Sequence, residues 1–165
     1  MAAAVILMLG VMAFVWFQTP QKLVAPLDLP GLSGERIHIP DPQGRMTWVS
    51  MWSSSCAVCL KELPELDALH HEYSERLQVA AIAMPYDPPN TVVEARDRLQ
   101  LGLPVVLDMD GVAVRQFAPD LVVPANHLLD PQGRIVHSVR GALSRADMLV
   151  ILGKYGLPPA LQQTP

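Results

Sequence analysis

Residues 46–66, "MTWVSMWSSSCAVCLKELPEL", decide how this chain is to be read. Met46 to Trp52 is a run of apolar and β-branched residues of strand length, bounded by a turn signal at Ser53-Ser54-Ser55. Beyond it Leu63, Leu66, Leu69 and Tyr73 recur at helical spacing, while Lys61, Glu65 and Glu72 lie elsewhere on the wheel, which predicts a helix over 56–76. The only two cysteines of the chain, Cys56 and Cys59, fall at the mouth of that helix, three residues apart. A strand that runs through a short turn into a helix opening on a cysteine pair is the feature from which the rest follows.

Upstream, "LDLPGLSGERIHIP" (27–40) reads as two short extended pieces around Gly31 and Gly34, with Ile37 and Ile39 on one side, and "DPQG" (41–44) is a turn. Downstream, "LQVAAIAMP" (77–85) is a continuous apolar run, as expected of a strand covered on both faces. "TVVEARDRLQLG" (91–102) is a short helix ending at glycine, "LPVVLD" (103–108) another buried strand, and "MDGVAVRQFAPDL" a turn with a short helix. "VPANHLLD" (123–130), the turn "PQG" and "RIVHSVRG" (134–141) form a hairpin. "SRADMLVILGKYG" (144–156) is the last helix, with Ser144 as N-cap and Gly156 past its end. Taking 27–40 as one extended unit, the order is β-β-α-β-α-β-α-β-β-α. Strand–helix alternation in the middle implies parallel pairing and the final hairpin is antiparallel, so the expectation is an α/β fold with a mixed central sheet flanked by helices.

The chain has 165 residues, half of them hydrophobic, a net charge of −4 and 16 prolines. That is one domain plus an appendage, with no basic run to suggest nucleic acid. The appendage is Ala2 to Phe17, "AAAVILMLGVMAFVWF", which carries no polar side chain. A membrane span needs about 20 apolar residues, with about 17 as the lower limit; Trp16 and Phe17 sit where interfacial aromatics belong. A cleaved signal peptide would want a basic residue before the run and a small-x-small site after it; no charged side chain precedes the run, and only Val24-Ala25 before Pro26 follows it, a poor cleavage context. Residues 1–17 are therefore read as a transmembrane anchor or signal segment, an uncleaved anchor being favoured, with 18–26 as a linker, 27–157 as the folded domain and 158–165 as a flexible tail.

Three roles compete for Cys56 and Cys59. A staple is disfavoured: bridging them closes a loop of about four residues, worth roughly 2 kcal/mol, against roughly 4.5 kcal/mol for a loop of about 80. A metal site needs further ligands; His70 and His71 lie about 17 Å along the same helix by its rise, which leaves His127 as the candidate partner. A redox pair fits the position. In the first helical turn, unpaired N–H groups and the positive end of the dipole favour a thiolate at Cys56. Cys59, a turn deeper, can then resolve a mixed disulfide.

The segment "MWSSSCAVCLKELPEL" is similar to the W-x-x-x-C-x-x-C-x-x-E-x-P segment of thioredoxin-like proteins. It looks most like the membrane-anchored thiol:disulfide oxidoreductases of the TlpA, ResA and CcmG type, within the redoxin or AhpC/TSA-like superfamily. The likeness runs over about 26–156, through "LPVVLDMDGVAV" and "VPANHLLDPQGRIVHSVRGAL". It implies a thioredoxin fold with an N-terminal β-hairpin extension. It also implies Cys56 as nucleophile, Cys59 as resolving cysteine, Trp52 packed beneath the site and Pro64 kinking the helix. Pro124 matches a cis proline facing the pair, which leaves the Val123 carbonyl free to meet an extended substrate. Glu62 matches an acidic residue able to exchange a proton with Cys59; the competing reading is an exposed helix glutamate beside Lys61.

The resemblance further implies disulfides of exported proteins as substrates, such as apocytochrome c or metal-site assembly proteins. It implies a DsbD-type membrane electron donor and a domain on the periplasmic side of a bacterial inner membrane. It calls for no cofactor and no resident metal. The departures are Ala57-Val58 between the cysteines, Ser50 where thioredoxin has a buried aspartate, Ser55 in place of an aromatic, and Ala125-Asn126-His127 after Pro124. His127 is a candidate to stabilise a thiolate, against the reading that it hydrogen-bonds within the sheet. No peroxidatic T-x-x-C pattern is present. A copper-handling module or a redox-inactive binding domain are the alternative functions.

Overall fold

A computed structural model describes residues 22–159. The apolar run Ala2 to Phe17 and the last six residues lie outside the described residues, and with them the anchor and most of the tail. Among the described residues no helix is long and apolar enough to cross a membrane.

The strands are β1 (Leu27–Pro30), β2 (Arg36–Ile39), β3 (Met46–Trp52), β4 (Leu77–Ala83), β5 (Val105–Leu107), β6 (Ala125–Leu129) and β7 (Ile135–Arg140). The helices are α1 (Ala57–Tyr73), α2 (Pro89–Leu99), α3 (Val114–Phe117) and α4 (Arg145–Lys154). The two extended pieces read in 27–40 are thus two strands, paired antiparallel from Leu27 opposite Ile39 to Pro30 opposite Arg36. The main sheet has the order β5-β4-β3-β6-β7. Its β3, β4 and β5 are parallel, β6 runs antiparallel to β3, and β7 runs antiparallel to β6. This is the mixed sheet expected from the alternation of elements, and β3, the strand that leads to the cysteines, lies at its centre.

Alternation along β3 sorts the core into two layers. Trp48 and Trp52 pack on one face with Cys59, Leu63, Leu66, Leu69 and Tyr73 of α1, Val92 and Ala95 of α2, and Met148 and Leu152 of α4. Val49 and Met51 face the other way, against Leu29 and Ile39 of the β1–β2 hairpin and Val114 and Phe117 of α3. Both β3 tryptophans are essentially inaccessible. Full burial of each contributes on the order of 3 kcal/mol by apolar area.

Element ends depart from the sequence reading by a few residues, each for a local reason. Helix α1 stops at Tyr73 because Ser74 to Arg76 turn the chain into β4, with the Arg76 N–H donating to the Tyr73 carbonyl at 2.8 Å. Helix α2 starts earlier than expected, since Pro89 occupies a first-turn position where no N–H is needed. It ends at Gln100 (φ 52°) rather than at Gly102. The N–H groups of Gly102 and Leu103 are taken by the Asp67 carboxylate of α1 at 2.8 and 2.7 Å, which delays the start of β5. Two X-Pro bonds are cis, Ile39-Pro40 and Val123-Pro124; the second is the one anticipated.

The stretch read as a linker is joined to the domain from Lys22 onward. The Val24 N–H donates to the Gly133 carbonyl at 2.9 Å, and the Ile135 N–H to the Lys22 carbonyl at 3.0 Å. The Gln116 side chain both accepts from and donates to the Ala25 backbone, at 2.8 and 3.1 Å. Val24 is buried.

Candidate active site

Strand β3 ends level with its parallel neighbour β4, Trp52 opposite Ala83, and the turn between β3 and α1 is held from β4's side. Ser53 Oγ donates to Asp87 Oδ1 at 2.8 Å, and the Ser54 N–H donates to Asp87 Oδ2. Ser54 Oγ meets Thr91 Oγ1 at 2.9 Å. Ser53 and Asp87 are both buried. A buried carboxylate therefore anchors the three-serine turn immediately before the cysteines. Asp87 carried no motif in the sequence. Its position just after a parallel strand, beside the carboxyl end of β3, is where α/β sheets gather functional groups.

Cys56 is the N-cap of α1, in extended backbone (φ −91°, ψ 101°), one position earlier than the first helical turn expected. Its Sγ accepts the Cys59 N–H at 3.1 Å and lies 4.0 Å from the Val123 carbonyl oxygen. Cys56 is half-buried and Cys59 is 1% exposed. The two are joined as a disulfide with Cα atoms 5.2 Å apart, so this is the oxidised form of the pair. The asymmetry of access, one sulfur reachable and one covered, is what a nucleophile and a resolving partner require.

Trp52 is fully buried in the same cluster as Cys59, and its Nε1 has no hydrogen-bond partner among the described residues. Ser50 points its Oγ into the same layer, also buried and unpartnered. Val123 and Pro124 stand across from Cys56 with their shared peptide bond cis. The Pro124 carbonyl accepts the Gly141 N–H at 2.8 Å, tying this loop to the end of β7.

Glu62 is 3% exposed, which removes the surface-glutamate reading. Spaced three residues from Cys59, it shares that residue's face of α1. Its Oε1 accepts two hydrogen bonds, from Asn126 Nδ2 at 2.9 Å and from the Leu143 N–H at 2.8 Å. Burial pushes its carboxyl above the ordinary 4.5, and the two hydrogen bonds act in the opposite sense. Asn126 in turn accepts the Trp48 Nε1–H at 3.0 Å. Trp48 was not singled out by the sequence, and Asn126 only as part of the departure after Pro124, with no role; alternation along a strand two residues past Pro124 was the available signal.

His127 does not approach the cysteines. It is the neighbour of Asn126 on β6, so the pleat aims it at the opposite layer of the core, beside Phe117. There Nε2–H donates to the Phe117 carbonyl at 2.7 Å and Nδ1 accepts from Ser138 Oγ at 2.8 Å. A carbonyl can only accept, which fixes the tautomer. Burial holds its pKa below the usual histidine value. The candidate role in thiolate stabilisation is thereby corrected, and so is His127 as a third ligand beside the two cysteines. Among the described residues no group of three or more His, Cys, Asp or Glu is placed to hold a metal ion.

The AhpC/TSA family pattern matches residues 20–138, most of the chain. The chain belongs to the AhpC/TSA family. Within it, the thiol-disulfide oxidoreductase ResA of Bacillus cereus is 23% identical over 145 residues, covering 84% of this chain and 83% of that one. The thioredoxin-like protein YneN of Bacillus subtilis is 25% identical over 122 residues, covering 73% and 71%. Among solved structures, StoA from Bacillus subtilis superposes with a TM-score of 0.68 at 24% identity, covering 75% of this chain and 93% of that one. The exposed lipoprotein thioredoxin of Streptococcus pneumoniae gives 0.71 at 22%, covering 79% and 99%. The fold is that of thioredoxin. With a C-x-x-C pair at the N-cap of α1, this AhpC/TSA member is a thiol:disulfide oxidoreductase of the ResA type.

Proposed function

We propose that the enzyme works as a disulfide reductase on exported proteins, outside the cytoplasm, held at a bacterial inner membrane by the apolar run Ala2 to Phe17. The observation that carries the chemistry is the pairing of a reachable Cys56 at a helix N-cap, facing the Val123 carbonyl, with a covered Cys59 above a buried Glu62.

In the reduced enzyme the Cys59 N–H and the start of α1 stabilise a Cys56 thiolate. The thiolate attacks one sulfur of a substrate disulfide. An S–S bond forms between Cys56 and the substrate, and the substrate's other sulfur leaves as a thiolate. Cys59 then passes its proton to the Glu62 carboxylate and attacks Cys56 Sγ. The Cys56–Cys59 bond forms, and the second substrate sulfur leaves as a thiolate. Both substrate thiolates take up protons, one of them the proton held by Glu62. The substrate gains two electrons and the cysteine pair loses two.

The Val123 carbonyl offers an extended substrate segment a backbone acceptor. Val58, Leu121 and Val122, all exposed, give the site an apolar rim. That suits unfolded stretches beside a cysteine pair, as in apocytochrome c or a metal-site assembly protein. In an oxidising compartment the pair must be reduced again, and a DsbD-type membrane thiol donor would supply the electrons.

Trapping tests the reading. Cys59→Ser should accumulate mixed disulfides through Cys56, separable by non-reducing electrophoresis, and Cys56→Ser should abolish exchange. A Cys59→Ser chain that folds yet captures no exported protein in its native envelope would refute the reductase role.

A further inference from the structure

The carboxylate beneath Cys59 is held at one oxygen only. Glu62 Oε1 accepts both the Asn126 Nδ2–H and the Leu143 N–H, which occupies its two lone-pair directions. Glu62 Oε2 accepts no hydrogen bond among the described residues. A proton on Oε1 would have to displace one of two well-formed donors, whereas a proton on Oε2 displaces none.

Which way the Asn126 amide points is settled by its other neighbour. Trp48 Nε1–H is a donor with no acceptor capacity, so the Asn126 atom facing it at 3.0 Å must be the oxygen. The amide nitrogen is then forced towards Glu62. All three side chains are buried in the layer between β3, β6 and α1, at 1%, 2% and 3% exposure, where a misdirected amide would leave a donor facing a donor. Trp48 and Asn126 are brought together by the antiparallel β3–β6 register, which sets Trp48 opposite Leu128 and Ser50 opposite Asn126, so the contact is a diagonal one.

From this geometry we propose that Trp48 and Asn126 are positioning residues for the proton relay: the indole orders the amide and the amide holds Oε1, so that the proton leaving Cys59 is carried on Oε2. This rests on the reading of Glu62 as the proton carrier for Cys59. The arrangement has a functional consequence. Burial pushes the Glu62 carboxyl up, and the Leu143 N–H and then the Asn126 donor oppose that shift. The amide therefore lowers the pH at which Glu62 is free to accept a proton, and with it the pH at which the resolving step runs. Cys56 sits at the helix N-cap on the margin of this layer, and its sulfur hydrogen-bonds to neither Glu62 nor Asn126 among the described residues.

The test is stopped-flow mixing of the reduced full-length enzyme with one equivalent of an aromatic disulfide whose thiolate is coloured. Attack by Cys56 releases the first chromophore and resolution by Cys59 the second, so the two steps are read as separate phases across pH. Glu62→Gln should abolish the titration of the release phase and leave the attack phase alone. Asn126→Asp, which keeps the Trp48 acceptor but sets a second carboxylate against Oε1, should move the release titration upward by about one pH unit or more. Asn126→Leu should move it the same way by less, because only a donor is lost. Trp48→Phe should shift it least.

An attack phase with wild-type amplitude and pH dependence certifies that each variant is folded. If Asn126→Asp and Asn126→Leu pass that check and their release titrations coincide with wild type, the positioning role is overturned. If Glu62→Gln itself leaves the release titration in place, the carrier assignment fails instead. Should the leucine variant not fold, the near-isosteric aspartate variant decides alone.

Discussion

Glu62 stores a conflict that a stability measurement can read. Its folded-state carboxyl is raised above the ordinary 4.5, chiefly by burial. A raised acid binds its proton more tightly when folded, so neutralising it favours the fold. The contribution is full below 4.5 and is lost as pH climbs through the folded-state value. Glu62→Gln keeps an oxygen for Asn126 and Leu143 and never ionises. Thermal unfolding of the oxidised enzyme should therefore show the glutamine variant more stable than wild type above neutrality, with the two Tm values converging in acid. An equal gap at every pH would mean that Glu62 does not titrate between folded and unfolded states. The sequence left this residue between an exposed helix glutamate and a partner of Cys59, although position 62 lies three from Cys59 and four from Leu66. Its partners were not legible, because Asn126 and Leu143 are 64 and 81 residues away in the chain.

At the scale of elements, two helix starts are built differently. Helix α4 opens on a capping box. Ser144 Oγ accepts the Asp147 N–H at 3.2 Å, and Asp147 Oδ2 accepts the Ser144 N–H at 3.1 Å. Ser144→Ala should cost about 1 kcal/mol, measured as a fall in the urea midpoint at unchanged slope. The signal was local and could be read directly from "SRAD". Helix α1 opens on Cys56, whose sulfur is the capping group, and its approach is held from outside by Asp87. Removing a buried carboxylate that accepts two hydrogen bonds costs about 1.5–3 kcal/mol, chiefly through donors left unpaired. Asp87→Ala should lower the urea midpoint accordingly. It should also slow Cys56 attack on a small disulfide, since the turn that aims the cysteine loosens; a variant as reactive as wild type would show that α1 orients Cys56 unaided.

At the scale of the whole molecule, the chain before β1 is part of the domain's surface. Lys22, Val24 and Ala25 are hydrogen-bonded to residues about 90 to 110 positions later, through Gln116, Gly133 and Ile135. Gln116→Ala removes both bonds to the Ala25 backbone. Hydrogen exchange should show the Ala25 amide losing protection, while the Val24 amide, which donates to Gly133, keeps most of its own. Unchanged protection at Ala25 would mean that the burial of Val24 alone holds the segment. If residues 1–17 anchor the enzyme as proposed, this docking fixes which side of the domain faces the membrane.

The order of elements, the mixed sheet, the buried face of α1 and the place of the cysteine pair were all determined by the sequence alone. Each rests on periodicity or on short-range chemistry within a few residues. What only the tertiary structure decided was the company each group keeps: Asp87 under the serine turn, Asn126 and Trp48 around Glu62, and His127 turned to the far layer away from both sulfurs. Those contacts join positions tens of residues apart, and the alternation of a β-strand sends neighbouring side chains to opposite faces. A single residue of register therefore separates a group that serves the active site from one that only packs the core.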